Sequence, residues 1–81
     1  MKKNLEELRM EIDGLNHELL RLINQRTALV KEISDLKDES GMTYFDPVRE
    51  GEMLEGLLAN NRGPLPNELI KEVFTSLFAV S

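Results

Sequence analysis

One amphipathic pattern takes up nearly half of this 81-residue chain and restricts what it can become. From Leu5 the apolar residues recur at Leu8, Ile12, Leu15, Leu19 and Leu22, then again at Leu29, Ile33 and Leu36. Steps of three and four residues describe the seam of a helix packed against other helices. No proline interrupts the stretch, and Gly14 is its one weak position, costing about 1 kcal/mol against alanine. The spacing predicts a single helix over residues 4–39. Position 26 falls on the seam but holds an arginine, whose guanidinium keeps its charge. A buried cation without a partner costs several kcal/mol, so something anionic is expected to meet Arg26 inside the bundle. The alternative is a side chain that snorkels to water along its own stem.

The rest of the chain reads as two shorter helices. Ser40-Gly41 marks the stop of the first, with Gly41 suited to the C-terminal cap, and residues 42–45 form a short connector. Asp46-Pro47 opens a second helix over 47–60, Asp46 capping it and Pro47 in the first turn, where its missing donor does no harm. Met53, Leu54, Leu57 and Leu58 mark its apolar face. Gly63-Pro64 breaks the chain, and a third helix is expected over 66–80 with Leu69, Ile70, Val73, Phe74, Leu77 and Phe78 turned inward. The fold class is all-α, a single three-helix domain over residues 1–81. Lengths then decide the assembly. About 36 residues at ~1.5 Å each give a helix of roughly 54 Å, whereas a compact chain of this size is some 30 Å across. Much of the Leu5–Leu22 seam would stay bare in a monomer, a larger apolar stripe than soluble proteins tolerate. An obligate, interlocked homodimer covers it most simply.

Composition removes several functions. There is no cysteine, so no disulfide, thiolate metal site or thiol nucleophile, and the lone His17 rules out a multi-histidine metal cluster. Ten basic residues against 15 acidic ones leave a net charge of −5, which argues against nucleic acid. No apolar run approaches the ~18 residues of a membrane span and no signal-peptide pattern opens the chain, so a soluble cytoplasmic protein is expected. A local group of cations can still dominate one pocket and hold a small anion. The charged residues able to build one are Arg26, Arg9, Lys37, Asp46, Arg49 and Glu50. Lys37 follows Arg26 by 11 residues, three turns on and only ~20° off the same face. Arg9 lies ~25 Å from Arg26 along the helix and reaches it only from an antiparallel partner chain. Taken singly, Arg9, Lys37, Arg49 and Glu50 also read as solvated surface charges, and Asp46 as no more than a cap.

Together these residues resemble the signature of the all-helical chorismate mutase family, type II. Leu8-Arg9-x-x-Ile12-Asp13 is similar to its opening motif, and Leu19-Leu20-x-Leu22-Ile23-x-x-Arg26 to the middle of its long helix. Val30-x-x-Ile33-x-x-x-Lys37 resembles the stretch that ends in its lysine, and Asp46-Pro47-Val48-Arg49-Glu50 its D-x-x-R-E box. The resemblance implies an intertwined homodimer of three-helix protomers and the rearrangement of chorismate to prephenate, without metal or cofactor. It further implies that Arg26 and the partner's Arg9 grip two carboxylates. Lys37 then meets a carboxylate and the ether oxygen, and Glu50 the ring hydroxyl. Asp46, Arg49 and Ser81 border the substrate.

The chain also departs from that pattern. Gly51 and Gly56 weaken the second helix by about 1–2 kcal/mol together. The third helix of the family usually continues to a glutamine at the ether oxygen, whereas this chain ends at Ser81 and its lone glutamine is Gln25. Two expectations follow: a fragment of a protein fused to another aromatic-biosynthesis enzyme, favoured by the apolar Leu77–Val80 end, or a short form of modest activity. Two other functions fit the same pocket. One is a regulatory module that binds chorismate or prephenate, the other an isochorismate-pyruvate lyase. A purely structural helical dimer would bind neither.

Overall fold

The computed structural model describes residues 2–41 and 46–79, which form three helices: α1 (Leu5–Ser40), α2 (Pro47–Ala59) and α3 (Asn67–Ala79). No strand occurs among the described residues. The helices agree with the expected ones to within a residue at each end that the structure describes; the 42–45 connector and the expected end of α3 at residue 80 lie outside those residues.

Local chemistry accounts for where each helix begins and stops. Asn4, expected as the first helical residue, is instead the cap of α1: its Oδ1 accepts from the Glu7 amide at 2.8 Å and its Nδ2 donates to the Glu7 carboxylate at 3.1 Å. Gly41 ends α1 at φ 75°, a left-handed conformation that glycine adopts without steric cost. Asp46 caps α2 by accepting from the Arg49 amide at 3.0 Å. Asn61 stitches α2 to α3, donating through Nδ2 to the Leu65 carbonyl and to Asn67 Oδ1, both at 2.8 Å, while its own Oδ1 accepts from the Gly63 amide at 2.9 Å.

α2 and α3 form a hairpin, the one pair of helices whose backbones come into close contact among the described residues. α1 runs past this hairpin and extends far beyond it, so the molecule measures 57 × 24 × 16 Å. Its radius of gyration is 16.5 Å, against about 12 Å for a compact chain of this length. The core is correspondingly thin. Among the described residues the buried hydrophobics are Ile70 and Phe78 of α3, at 6% and 7% exposure. Leu69 and Val73, expected inward, stay exposed because α2 packs against only one flank of α3. Met53, Leu54, Leu57 and Leu58 are half-buried between α2 and its neighbours.

The seam of α1 makes no core within the chain. Leu5 at 62%, Leu15 at 63% and Leu36 at 64% exposure are typical of it, and Leu8, Ile12, Leu19, Leu22, Leu29 and Ile33 are exposed too. Among the residues of α1 whose side chains are described, the half-buried ones are Arg26, Val30, Ser34 and Lys37, a neighbouring stripe. At ~100° per residue this stripe spans roughly 0 to +80° around the helix from Arg26, while Leu22, Leu29, Ile33 and Leu36 lie at about −20 to −80°. Arg26 therefore sits on the line between two faces, one met by the hairpin and one left open. No described helix is long and apolar enough to cross a membrane.

Candidate active site

The stripe that begins at Arg26 faces the start of α2, and a cleft of about 200 Å³ opens between them. From α1 it is lined by Arg26, Val30, Ile33, Ser34 and Lys37, from α2 by Asp46, Arg49, Glu50 and Met53, and from α3 by Phe78. Spacing explains both walls. Positions 26, 30, 34 and 37 are one or more turns apart on α1, and 46, 49, 50 and 53 recur every three or four residues on α2. The Asp46 cap fixes the first turn of α2, so the residue that starts the helix also orients Arg49 and Glu50 beside the cleft.

Arg26 meets no carboxylate of its own chain among the described residues; the ion pairs there are Lys3–Glu11 and Glu18–Arg21. Within the chain the end of α3 meets Arg26 instead. Arg26 Nη1 donates to the Leu77 carbonyl at 3.3 Å, and its guanidinium carbon stands 5.3 Å from the centre of the Phe78 ring. A carbonyl in the last turn of a helix carries partial negative charge, which suits a cation. A second, more open hollow of about 340 Å³ lies on the other flank of Arg26, between Met53, Gly56, Leu57, Asn60, Phe74 and Phe78. Arg26, Met53 and Phe78 line both hollows and so form the partition between them.

Five of the seven residues expected at a site thus surround one cleft: Arg26, Lys37, Asp46, Arg49 and Glu50. Arg9 is exposed on the far half of α1, ~25 Å along the helix from Arg26, and does not reach the cleft of its own chain. Ser81 lies outside the described residues. Val30, Ser34, Ile33, Met53 and Phe78 also line the cleft, although the sequence does not single them out for it. The first two carry a signal in hindsight, since they continue the four-residue ladder from Arg26. Phe78 reads in sequence as ordinary core, and the Leu77 carbonyl has no sequence signal at all.

Cations Arg26, Lys37 and Arg49 facing the carboxylates of Asp46 and Glu50 can hold a small molecule with negative groups at one side and a hydroxyl at the other. Comparison with known proteins gives this arrangement a context. The family model of chorismate mutase type II matches residues 8–81. The bifunctional chorismate mutase/prephenate dehydratase of Aquifex aeolicus is 33% identical over 81 residues, covering 95% of this chain and 22% of that protein. The chorismate mutase of Methanocaldococcus jannaschii is 36% identical over 50 residues, covering 62% of this chain and 50% of its own. The structure of chorismate mutase (form I) from Thermus thermophilus superposes with a TM-score of 0.93 at 44% identity, covering 98% of this chain and 100% of the other. The chain spans less than a quarter of the length of the bifunctional relatives it matches. Matched over nearly its whole length by that family model and that fold, the chain belongs to the chorismate mutase type II family.

Proposed function

We propose that this chain catalyses the rearrangement of chorismate to prephenate, working as an intertwined homodimer. The observation that carries the proposal is the convergence of Arg26, Lys37, Arg49 and Glu50 on one cleft from two different helices. The reaction is an intramolecular pericyclic shift: the ether C–O bond breaks as a C–C bond forms, and no nucleophile, metal or proton carrier takes part. The protein has two tasks. It holds a dianion in its folded, chair-like conformer, an orientation effect. It also stabilises the negative charge that grows on the ether oxygen, where one fixed donor is worth about 3–4 kcal/mol. In this reading Arg26 grips one carboxylate, Lys37 meets the other carboxylate and the ether oxygen, and Glu50 accepts from the ring hydroxyl. Arg49 and Asp46 hold Glu50 and the first turn of α2 in place.

The second subunit has two supports. The seam of α1 is bare from Leu5 to Leu22, and the cleft of about 200 Å³ is smaller than the ~300 Å³ at which small-molecule pockets usually begin. An antiparallel α1 from a partner covers the first and brings the partner's Arg9 to the second. Several relatives join a chorismate mutase to a prephenate dehydratase, and covalent fusion to such a domain is the further partner we propose.

The test follows loss of chorismate absorbance on adding the protein, then identifies the product. Prephenate as product supports the proposal. Pyruvate release would assign a lyase instead, and tight chorismate binding without turnover would assign a regulatory module.

A further inference from the structure

α3 reaches the cleft through its last turn, and that turn touches Arg26 twice. The Leu77 carbonyl takes one N–H at 3.3 Å, and the Phe78 ring lies 5.3 Å from the guanidinium carbon. Phe78 is buried at 7% exposure and braced by Phe74, the two rings 6.3 Å apart and tilted by 50°. It is a fixed surface, whereas Arg26 is a long side chain that enters none of the ion pairs between described residues. The two ways of holding a guanidinium have different consequences. A carboxylate partner would consume the N–H donors at one edge of the fork. An aromatic face attracts the charge from outside the donor plane and leaves those donors unspent.

We propose that Phe78 is a positioning residue: its ring holds the Arg26 guanidinium on the partition between the two hollows, with its remaining donors available to a carboxylate of the ligand. This rests on the function proposed above. It also explains why an arginine occupies the boundary of two helix faces in a chain that supplies it no acid among the described residues. The ring does not touch the ligand's reacting atoms in this scheme; it lowers the freedom Arg26 would lose on binding.

Fluorinated phenylalanines placed at position 78 test this directly, because one, two or three fluorines weaken the ring's negative face while keeping its shape. Two quantities are read across the series: the NMR signals of the Arg26 guanidinium, and steady-state kinetics with chorismate. The expected result is a stepwise rise in KM, about three- to tenfold over the series, with kcat moving less. The guanidinium signals shift in step toward those of a freely rotating arginine. Phe78→Tyr, which keeps the ring, stays near the parent. Signals and KM that do not change with fluorination overturn the proposal, even if Phe78→Leu is poorly folded. If the parent protein turns over no chorismate, the proposed reaction fails, and the guanidinium signals alone then uphold or overturn the role of Phe78.

Discussion

The two halves of α1 have the same kind of sequence and opposite surroundings. From Arg26 onward one flank meets the α2–α3 hairpin, and Val30, Ser34 and Lys37 are half-buried. Before Arg26 every described residue is exposed, including Leu8, Ile12, Leu15, Leu19 and Leu22, and the ion pairs there are local: Lys3 with Glu11 and Glu18 with Arg21. The apolar period is as regular in the first half as in the second. Periodicity therefore marks a face as apolar without saying what, if anything, in the same chain covers it. Applied to function, the contrast separates what one protomer contains, a cleft with three cations and two carboxylates, from what the proposed dimer would add, a cover for the seam and the distant Arg9.

The strongest way to break this contrast is to make the open face polar. In Leu15→Glu/Leu19→Glu two carboxylates replace exposed leucines of the seam. We expect a monomeric mass by sedimentation and a loss of chorismate turnover of more than about 10²-fold, since one missing charge-stabilising donor already costs that much. A double variant of unchanged mass and activity would show that the first half of α1 needs no partner. Lys37→Ala acts on the other half. It is expected to lower kcat by about 10²- to 10³-fold while the helical circular dichroism and the mass stay those of the parent. Near-normal turnover would remove Lys37 from the ether oxygen.

How far the sequence was legible follows the same division. Helix ends were readable because they depend on nearest neighbours: Asp46 before Pro47 and Gly41 after Ser40 act within one turn. The α1–α2 wall of the site was readable for a related reason, since a helix turns spacing into a shared face and Arg26 and Lys37 needed only the 3.6-residue period to align. What was not legible depends on the angle at which helices meet. The Leu29, Ile33 and Leu36 stripe looks like the natural surface for the hairpin, yet the hairpin sits over Val30, Ser34 and Lys37. The seam is the more apolar of the two, which suits the partner helix proposed above, and the mixed stripe lines the cleft that gathers the charged residues. The contact between Arg26 and the end of α3 was unreadable for a further reason, because a backbone carbonyl carries no residue identity.

Mixing variants sharpens the contrast between what a protomer holds and what it receives. Arg9→Ala removes the distant cation and Lys37→Ala a local one. Each is expected to be nearly inactive alone. Mixed in equal amounts and allowed to exchange subunits, half of the dimers become heterodimers. In each of these, one site carries both lesions and the other carries none. The mixture should regain about a quarter of parental turnover, and a mixture no better than its components would mean that Arg9 serves its own chain or no site. A smaller effect is expected of Asp46→Ala. Its carboxylate accepts from the Arg49 amide at 3.0 Å, so its loss should cost about 1 kcal/mol of stability in denaturant unfolding. If Asp46 orients Arg49 and Glu50, KM rises as well; a stability loss with unchanged kinetics would confine it to capping.

The smallest effect belongs to the open half of α1. Glu18 and Arg21 form an exposed pair one turn apart, with Arg21 Nε donating to Glu18 Oε2 at 3.1 Å. The hydrogen bond from Arg21 holds the Glu18 carboxyl below its ordinary pKa of 4.5, and the same contact keeps Arg21 more firmly protonated. The sign follows from the depressed value. The pair's contribution is present above the ordinary carboxylate range and is lost as pH falls through the lowered pKa of Glu18. Because both groups are in water, screening keeps that contribution slight. An NMR titration should find the Glu18 midpoint below 4.5 in the parent and back at its ordinary value in Arg21→Ala. The comparison has a use beyond the pair itself. The partner helix proposed to lie over this half of α1 would exclude water and bring new charges near Glu18, so the midpoint should differ between the parent and the Leu15→Glu/Leu19→Glu variant by more than the added glutamates produce in a peptide of α1 alone. A parent–variant difference no larger than the one the same glutamates produce in the peptide would mean that nothing covers the seam.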